Sequence, residues 1–218
     1  MRSEAIQKLV GRPVKDFYGR YAGFVVGFSV DTNGELQFVG IDQGNGEFAQ
    51  FPQKRVLSDH DGLVVLPQWK LDVDSLRRET EAVRKRILAL ETLVREGEVS
   101  RPIYEQMRAQ YDGQINDLQQ SHSALLQSLT KRLEYLDTRS QSLEVFLANV
   151  KVQFRAGEID EGTFKVAIDY CTAMKARDLK ESEDIGSVLR LLAQPATRSQ
   201  AAAAVKPSDP FVVETVSN

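Results

Sequence analysis

The chain has 218 residues, of which 42% are hydrophobic, 27% charged and 8% aromatic, with a net charge of −3 and a pI near 5.6. These values exclude a wholly disordered chain, which carries fewer apolar residues. They argue against a protein dominated by nucleic-acid affinity and leave a local basic patch open.

The lone cysteine, Cys171, rules out an intramolecular disulfide framework and a cysteine-rich metal site. It reads as a small apolar residue in a helix seam. Met1-Arg2-Ser3-Glu4 lacks the apolar core of a signal peptide, and no run approaches the ~18 apolar residues of a membrane span. The expectation is a soluble, intracellular protein that reaches a membrane peripherally or through a partner.

Residues 1–70 hold most of the glycine, and short apolar runs separated by turn signals follow one another closely. Val14–Phe17 lies between Gly11 and Gly19. Phe24–Val30 ends at Asp31-Thr32-Asn33-Gly34, and Leu36–Ile41 follows as the second arm of a hairpin. Glu47–Phe51 stops at Pro52, Arg55–Leu57 leads into the turn Ser58-Asp59-His60-Asp61-Gly62, and Leu63–Leu66 ends before Pro67. Short strands at this spacing predict a small closed β-barrel, because closure removes exposed edges. His60, flanked by two aspartates, is explained by an Asp- and Gly-rich turn, with no nucleophile or ligand set beside it. Gly44-Asn45-Gly46 is likewise a hairpin turn, since no Gly-Lys-Ser/Thr follows to make a phosphate loop.

The run Gly11-Arg12-Pro13-Val14-Lys15-Asp16-Phe17-Tyr18-Gly19-Arg20, then Gly23-Phe24-Val25-Val26-Gly27, resembles the opening of a PRC-barrel domain. Arg55 with Asp61-Gly62-Leu63-Val64-Val65 fits the end of the same pattern. PRC-barrels are adaptors in unrelated systems, so the resemblance implies a fold and says little about function.

After Pro67 and Trp69 the composition changes. Asp72 or Asp74 is placed to cap a first helix, whose seam runs Leu76, Thr80, Val83, Ile87, Leu90, Val94. A second helix follows from Ser100 to about Ala156. Its stripe is Tyr104, Met107, Tyr111, Ile115, Leu118, His122, Leu125, Leu129, Leu133, Leu136, Ser140, Leu143, Leu147, Val150 and Phe154. Steps of three and four keep this stripe on one face, as in a helix packed lengthwise against others. At 1.5 Å per residue such a helix measures roughly 85 Å. A rod of that length cannot bury its stripe alone. His122 on the stripe reads as a core or interface residue rather than a ligand.

The two ends of that helix carry the same motif. Arg95-Glu96-Gly97-Glu98-Val99-Ser100 leads to Tyr104, and Arg155-Ala156-Gly157-Glu158-Ile159-Asp160 leads to Phe164. In each, glycine ends a helix in the left-handed conformation, Val or Ile plugs the bend, and Ser or Asp caps the next helix. The first and third helices together are about as long as the second, by equal helical rise. That length match predicts two antiparallel hairpins sharing one long helix, in a Z-shaped rod.

Arg77, Arg78, Arg84, Lys85 and Arg86 form a basic cluster early in the first helix, with Arg77 and Arg84, and Arg78 and Lys85, each a heptad apart on one face. This is either an ordinary solvated face or a contact with phosphates of DNA or lipid. Pro195 ends the third helix, and Ala196 to Lys206 reads as a flexible linker. The apolar, β-prone Phe211, Val212, Val213 and Val216 then suit strand addition to a partner's sheet.

PRC-barrel, coiled coil with a Gly-Glu-Val/Ile elbow, and a Pro/Val C-terminal peptide: this order resembles the archaeal CdvA family of cell-division proteins. The resemblance implies filament formation, association with DNA and placement at the division site on the membrane. It also implies recruitment of an ESCRT-III-like partner by the C-terminal peptide, through Phe211, Val212, Val213 and Val216.

The expected fold is thus α+β. Residues 1–70 form a PRC-type barrel, 71–194 an antiparallel three-helix rod (about 72–96, 100–156 and 160–194), 195–206 a linker and 207–218 a partner-binding peptide. The expected function is a non-enzymatic polymerising scaffold with no catalytic residue, cofactor or metal. It would pair with itself, with an ESCRT-III-like protein and with DNA, in the cytoplasm at the division site near membrane and nucleoid. A PRC-barrel adaptor in ribosome or RNA–protein assembly is the alternative.

Overall fold

The computed structural model describes residues 7–44, 46–59 and 62–193. His60, Asn45, the linker 195–206 and the peptide residues Phe211, Val212, Val213 and Val216 therefore lie outside the described residues. Six strands come first: β1 (Pro13–Asp16), β2 (Tyr21–Val30), β3 (Leu36–Gly44), β4 (Glu47–Pro52), β5 (Val56–Asp59) and β6 (Gly62–Val65). Three helices follow: α1 (Gln68–Arg95), α2 (Arg101–Arg155) and α3 (Glu161–Ala193). This is the expected α+β layout, an N-terminal sheet and then long helices.

The strands make one sheet in the order β4-β3-β2-β1-β6-β5. Neighbours are antiparallel except β1 and β6, which pair in parallel with Val14 opposite Leu63 and Asp16 opposite Val65. The ladder ends at β4 and β5, which are joined by a single 3-10 turn, Gln53–Arg55. All six strands feed one core of Val14, Val25, Leu36, Val39, Ile41, Phe51, Val56, Leu63 and Val65. Most are β-branched, which suits a half-buried pleated surface.

Two of the connections use the same device. Asp31 Oδ1 accepts hydrogen bonds from the amides of Asn33 and Glu35, at 2.9 and 2.8 Å, while Gly34 turns the chain at φ +76°. Asp16 Oδ1 does the same for Tyr18 and Arg20, with Gly19 at φ +82°. The short aspartate side chain stands in for a backbone acceptor, and only glycine takes the positive φ without strain.

Compact units are not consecutive in sequence. One comprises Met1–Asp72 with Leu129–Gly186, the other Val73–Ser128 with Ser187–Asn218. In the second unit α1 runs antiparallel to the first half of α2, with Glu91 accepting from Arg108 Nη1 at 3.0 Å. Leu76, Val83, Leu90 and Val94 of α1 and Leu125 of α2 are buried there. His122 Nε2 lies 3.2 Å from the Leu192 carbonyl oxygen near the end of α3, a seam contact as expected of it.

In the first unit, Leu129, Leu136 and Val150 of α2 and Cys171 and Ile185 of α3 are all buried. Every residue of the stripe read from Tyr104 to Phe154 is buried or half-buried. Thr80, placed on the α1 seam, is instead exposed. Helix α1 also starts at Gln68, ahead of the expected caps; Asp72 sits inside it and accepts from Gln68 Nε2 at 2.7 Å. Pro67, with its fixed φ, lets the helix begin directly behind it.

Both elbows end their helices on the predicted glycine. Gly97 (φ +77°) and Gly157 (φ +75°) follow the last helical turn. Glu98 and Glu158 donate their amides to the Leu93 and Gln153 carbonyls, each at 2.9 Å, and the glycine amides bond to Val94 and Phe154, each at 3.1 Å. This double pattern satisfies carbonyls that a helix end leaves bare. Asp160 caps α3 by accepting from the Thr163 amide at 2.6 Å, and Phe154 stacks on Phe164 across the bend with ring centres 4.3 Å apart.

Candidate functional site

The Asp16–Gly19 turn that joins β1 to β2 also presents Tyr18 and Arg20 away from the sheet. Arg20 is a buried cation, 7% exposed, and each arm of its guanidinium reaches a carboxylate. Nε donates to Asp16 at 2.5 Å, Nη1 to Asp178 at 3.0 Å, and Nη2 to Glu181. The last two acids come from α3, so residues over 150 positions apart in the chain meet in one ion cluster.

The facing turns of α2 complete it. Arg132 grips Glu181 with Nε and Nη2, both at 2.9 Å. Arg139, a heptad further along the same face, grips Asp178 through Nε at 2.7 Å and through Nη2. These are planar, two-point contacts that fix orientation as well as charge. Asp178 and Glu181 are each 2% exposed, so the cluster lies inside the unit rather than on its surface.

A second, smaller set flanks it. Asp184 Oδ2 accepts from the Tyr18 hydroxyl at 3.0 Å and from Lys70 Nζ at 2.8 Å. Lys70 in turn lies 4.5 Å over the Phe17 ring and 4.7 Å over Trp69.

The charge states follow. Burial pushes the Glu181 carboxyl up, but bonds from Arg132 and Arg20 outweigh it and hold it below its usual range. Asp184 is lowered chiefly by Lys70, with Tyr18 adding to the effect. Burial and then Asp184 push the Tyr18 hydroxyl above its ordinary value, which keeps it a donor. Burial works against the Arg20 cation, yet Glu181 and Asp16 hold its pKa above normal. Acids locked in ion pairs in this way suit a clamp, holding the sheet against the α2–α3 pair within its own unit. Among the described residues, no group of three or more His, Cys, Asp or Glu is placed to hold a metal, and no helix is long and apolar enough to cross a membrane.

The same unit leaves apolar side chains in water. Phe146 is 52% exposed, Val166 70% and Tyr170 61%. With Leu143, Ala167 and Cys171 they line a groove of about 570 Å3 beside the α2–α3 seam. Val145 and Val152 are exposed further round α2. In the other unit, Arg77, Arg78, Lys85 and Arg86 are exposed and Arg84 is half-buried. Arg78 Nε bonds the Asp74 carbonyl at 3.2 Å and Lys85 lies 3.6 Å from Glu81. Arg77, Arg84 and Arg86 form no ion pair among the described residues, so the cluster presents open cations to solvent. Arg86 borders a shallow groove of about 350 Å3 with Gln114 and Leu118.

The ion cluster is absent from the expectations, although its signal is in the chain. Cys171, Met174, Asp178, Glu181 and Ile185 follow the three-four spacing of a helix seam, and two seam positions are acidic. Arg132 and Arg139 flank the Leu129–Leu136 stripe at heptad spacing. Acids in one seam and arginines beside the facing one imply a buried ion pair. Arg20 as the third cation is a contact distant in sequence that no local pattern announces.

A family profile describing a CdvA-like coiled-coil domain matches residues 68–210. The chain is also similar to the protein named Cell division protein A of Sulfolobus acidocaldarius, at 28% identity over 186 residues, which cover 85% of this chain and 78% of that protein. The profile spans all three helices, and the likeness to the archaeal protein, covering more of the chain than the helices alone, takes in part of the sheet as well. The chain therefore belongs to the CdvA-like coiled-coil family.

Proposed function

We propose that this chain is a non-enzymatic, polymerising scaffold of archaeal cell division, which assembles at the division site and recruits an ESCRT-III-like protein. Membership of a family with a cell-division relative supports the setting. The observation that carries the self-assembly is the exposed apolar groove around Phe146, Val166 and Tyr170, left open after the seam between α2 and α3 has been filled. Burying one such side chain is worth about 1.5–3 kcal/mol, a driving force that a second copy supplies.

Negative-stain microscopy against concentration tests this. Filaments should form, and the double variant Phe146→Ser/Val166→Ser should raise the concentration at which they appear. A monodisperse monomer at all concentrations refutes the reading.

The partner contact is assigned to Phe211, Val212, Val213 and Val216, whose apolar, β-prone composition suits strand addition. Deleting residues 207–218 should abolish capture of the ESCRT-III-like partner and leave assembly intact. Unchanged capture refutes it. The open cations Arg77, Arg84 and Arg86, with Arg78 and Lys85, are the proposed contact to DNA or lipid phosphates. Their neutralisation should flatten the salt dependence of DNA binding.

A further inference from the structure

Beside the buried ion cluster lies a groove of about 410 Å3, bordered by Arg20, Arg132, Arg139, Arg177, Tyr21 and Tyr170, with Asp16 at its edge. Four guanidinium groups on one groove form an unusual wall, and the hydrogen-bond balance around them is uneven. Asp178 and Glu181 spend both oxygens on Arg20, Arg132 and Arg139, and Asp16 spends its oxygens on Arg20 and two backbone amides. No carboxylate oxygen is left over.

On the donor side, Nη1 of Arg132 and of Arg139 takes part in none of these bonds. Arg177, half-buried, forms no ion pair or hydrogen bond among the described residues. Its Nε lies 3.9 Å from where a Cβ on Gly19 would stand, which places the guanidinium beside the Asp16–Gly19 turn. The four arginines against Asp16, Asp178 and Glu181 give the wall one positive charge in excess (four minus three). Arg177 has no carboxylate of its own among the described residues, so an anion that joins it gains a charge-assisted pair without displacing an existing one.

We propose that this groove is a binding site for a small phosphorylated molecule, with Arg177 as its principal ligand. The tetrahedral anion sits among Arg177 and the Nη1 groups of Arg132 and Arg139, which are held in place by their own acids and by the Tyr135 ring they share, 5.1 and 5.5 Å away. A planar guanidinium fork matches phosphate oxygens in pairs. Tyr21 and Tyr170, both largely exposed, offer ring faces and hydroxyls to the organic part. The volume lies within the range of about 300–1,000 Å3 usual for small-molecule sites, so free phosphate alone would leave space. The site shares Tyr170 with the apolar groove proposed for self-assembly, but its anion ligands Arg177, Arg132 and Arg139 lie outside that groove, the C-terminal peptide and the α1 basic cluster.

Calorimetric titration of the full chain with inorganic phosphate and with phenyl phosphate, at ionic strength fixed with chloride, tests it. The expected result is saturable one-to-one binding, tighter for phenyl phosphate, strengthening as pH rises through about 6 where phosphomonoesters become dianions. Arg177→Gln should weaken it about tenfold or more. Arg177 is outside the ion cluster, so far-UV circular dichroism and the melting temperature should be unchanged. Arg177→Lys, which keeps the charge and loses the fork, should fall between. Heat that chloride reproduces, or affinity indifferent to Arg177→Gln, overturns the proposal.

Discussion

Arg20→Met removes the one cation shared by both buried carboxylates and leaves the rest of the cluster standing. Deleting one partner of a buried ion pair costs about 3–5 kcal/mol, because the other charge is left unmatched. Here Asp178 keeps Arg139, Glu181 keeps Arg132, and Asp16 keeps its two backbone amides. The loss should therefore fall at the low end, about 3 kcal/mol. At roughly 2–4 °C per kcal/mol for a chain of this size, the melting temperature drops by about 6–12 °C.

Trp69, the single tryptophan, stands under Lys70, whose amine reaches Asp184 beside the cluster. Its fluorescence in a urea titration should report this joint, with far-UV circular dichroism following the helices. A loss below about 1 kcal/mol would place the cluster with surface ion pairs and refute the clamp. The triple variant Arg20→Met/Asp178→Leu/Glu181→Met supplies the second arm. Arg132 and Arg139 then face water, at 37% and 28% side-chain exposure, and no buried charge is left unpaired. Stability should return to within about 1 kcal/mol of the parent.

Four other outcomes are expected. Glu181 and Asp184 both titrate below their usual range in the folded chain. Their stabilisation is therefore complete above an unfolded pKa of about 4 and drains away as pH falls through the lower folded values, which an acid-unfolding series will show. Gly97→Ala and Gly157→Ala meet no neighbouring atom, so the positive φ alone should cost about 1–2 kcal/mol in urea unfolding, with Asn in the same places costing less. Leu136→Ala, at a side chain 1% exposed, should lose about 2–5 kcal/mol as a cavity opens in the α2–α3 seam. Trp69→Phe should change stability by less than about 1 kcal/mol, because the lost ring area is offset by removing the buried Nε1–H, which has no acceptor among the described residues.

Much of this was legible from spacing. Steps of three and four placed every stripe residue from Tyr104 to Phe154 on the covered face, and the duplicated Gly-Glu-Val/Ile motif located both elbows to the residue. Turn chemistry placed the β2–β3 hairpin, since Asp31 and Gly34 leave the chain few alternatives there. What stayed hidden depended on contacts between distant segments. Nothing near Arg20 in sequence signals that Asp178 and Glu181 join Asp16 as its acids, and nothing near Lys70 signals Asp184. Thr80 misled for a different reason: it falls on the apolar period, yet a hydroxyl-bearing side chain can be left to solvent at little cost. The basic run on α1 was visible as composition, but only the structure separates its open cations Arg77, Arg84 and Arg86 from Arg78 and Lys85, which have local partners.

The two elbows are near copies, and the seams they lead into differ in kind. Helix α1 buries Leu76, Val83, Leu90 and Val94, an apolar seam. Helix α3 buries Cys171, Asp178, Glu181 and Ile185, with charge at its centre. An apolar seam is at least as stabilising as an ion pair of similar volume, so stability alone does not account for the acids. Their distinguishing property is that they accept only a partner bringing arginines at matching positions, as Arg132, Arg139 and Arg20 do. An apolar seam tolerates a shifted or exchanged helix far more readily. In a chain with two similar hairpins, that selectivity assigns the sheet to the α3 hairpin and fixes the register of α3 on α2. The triple variant separates the two roles. It should keep its melting temperature while amide hydrogen exchange in the Asp16–Arg20 turn and β1 accelerates as the sheet loses its unique seat. Unchanged protection of that turn would mean that apolar packing sets the pairing, and that the ion cluster contributes strength without choice.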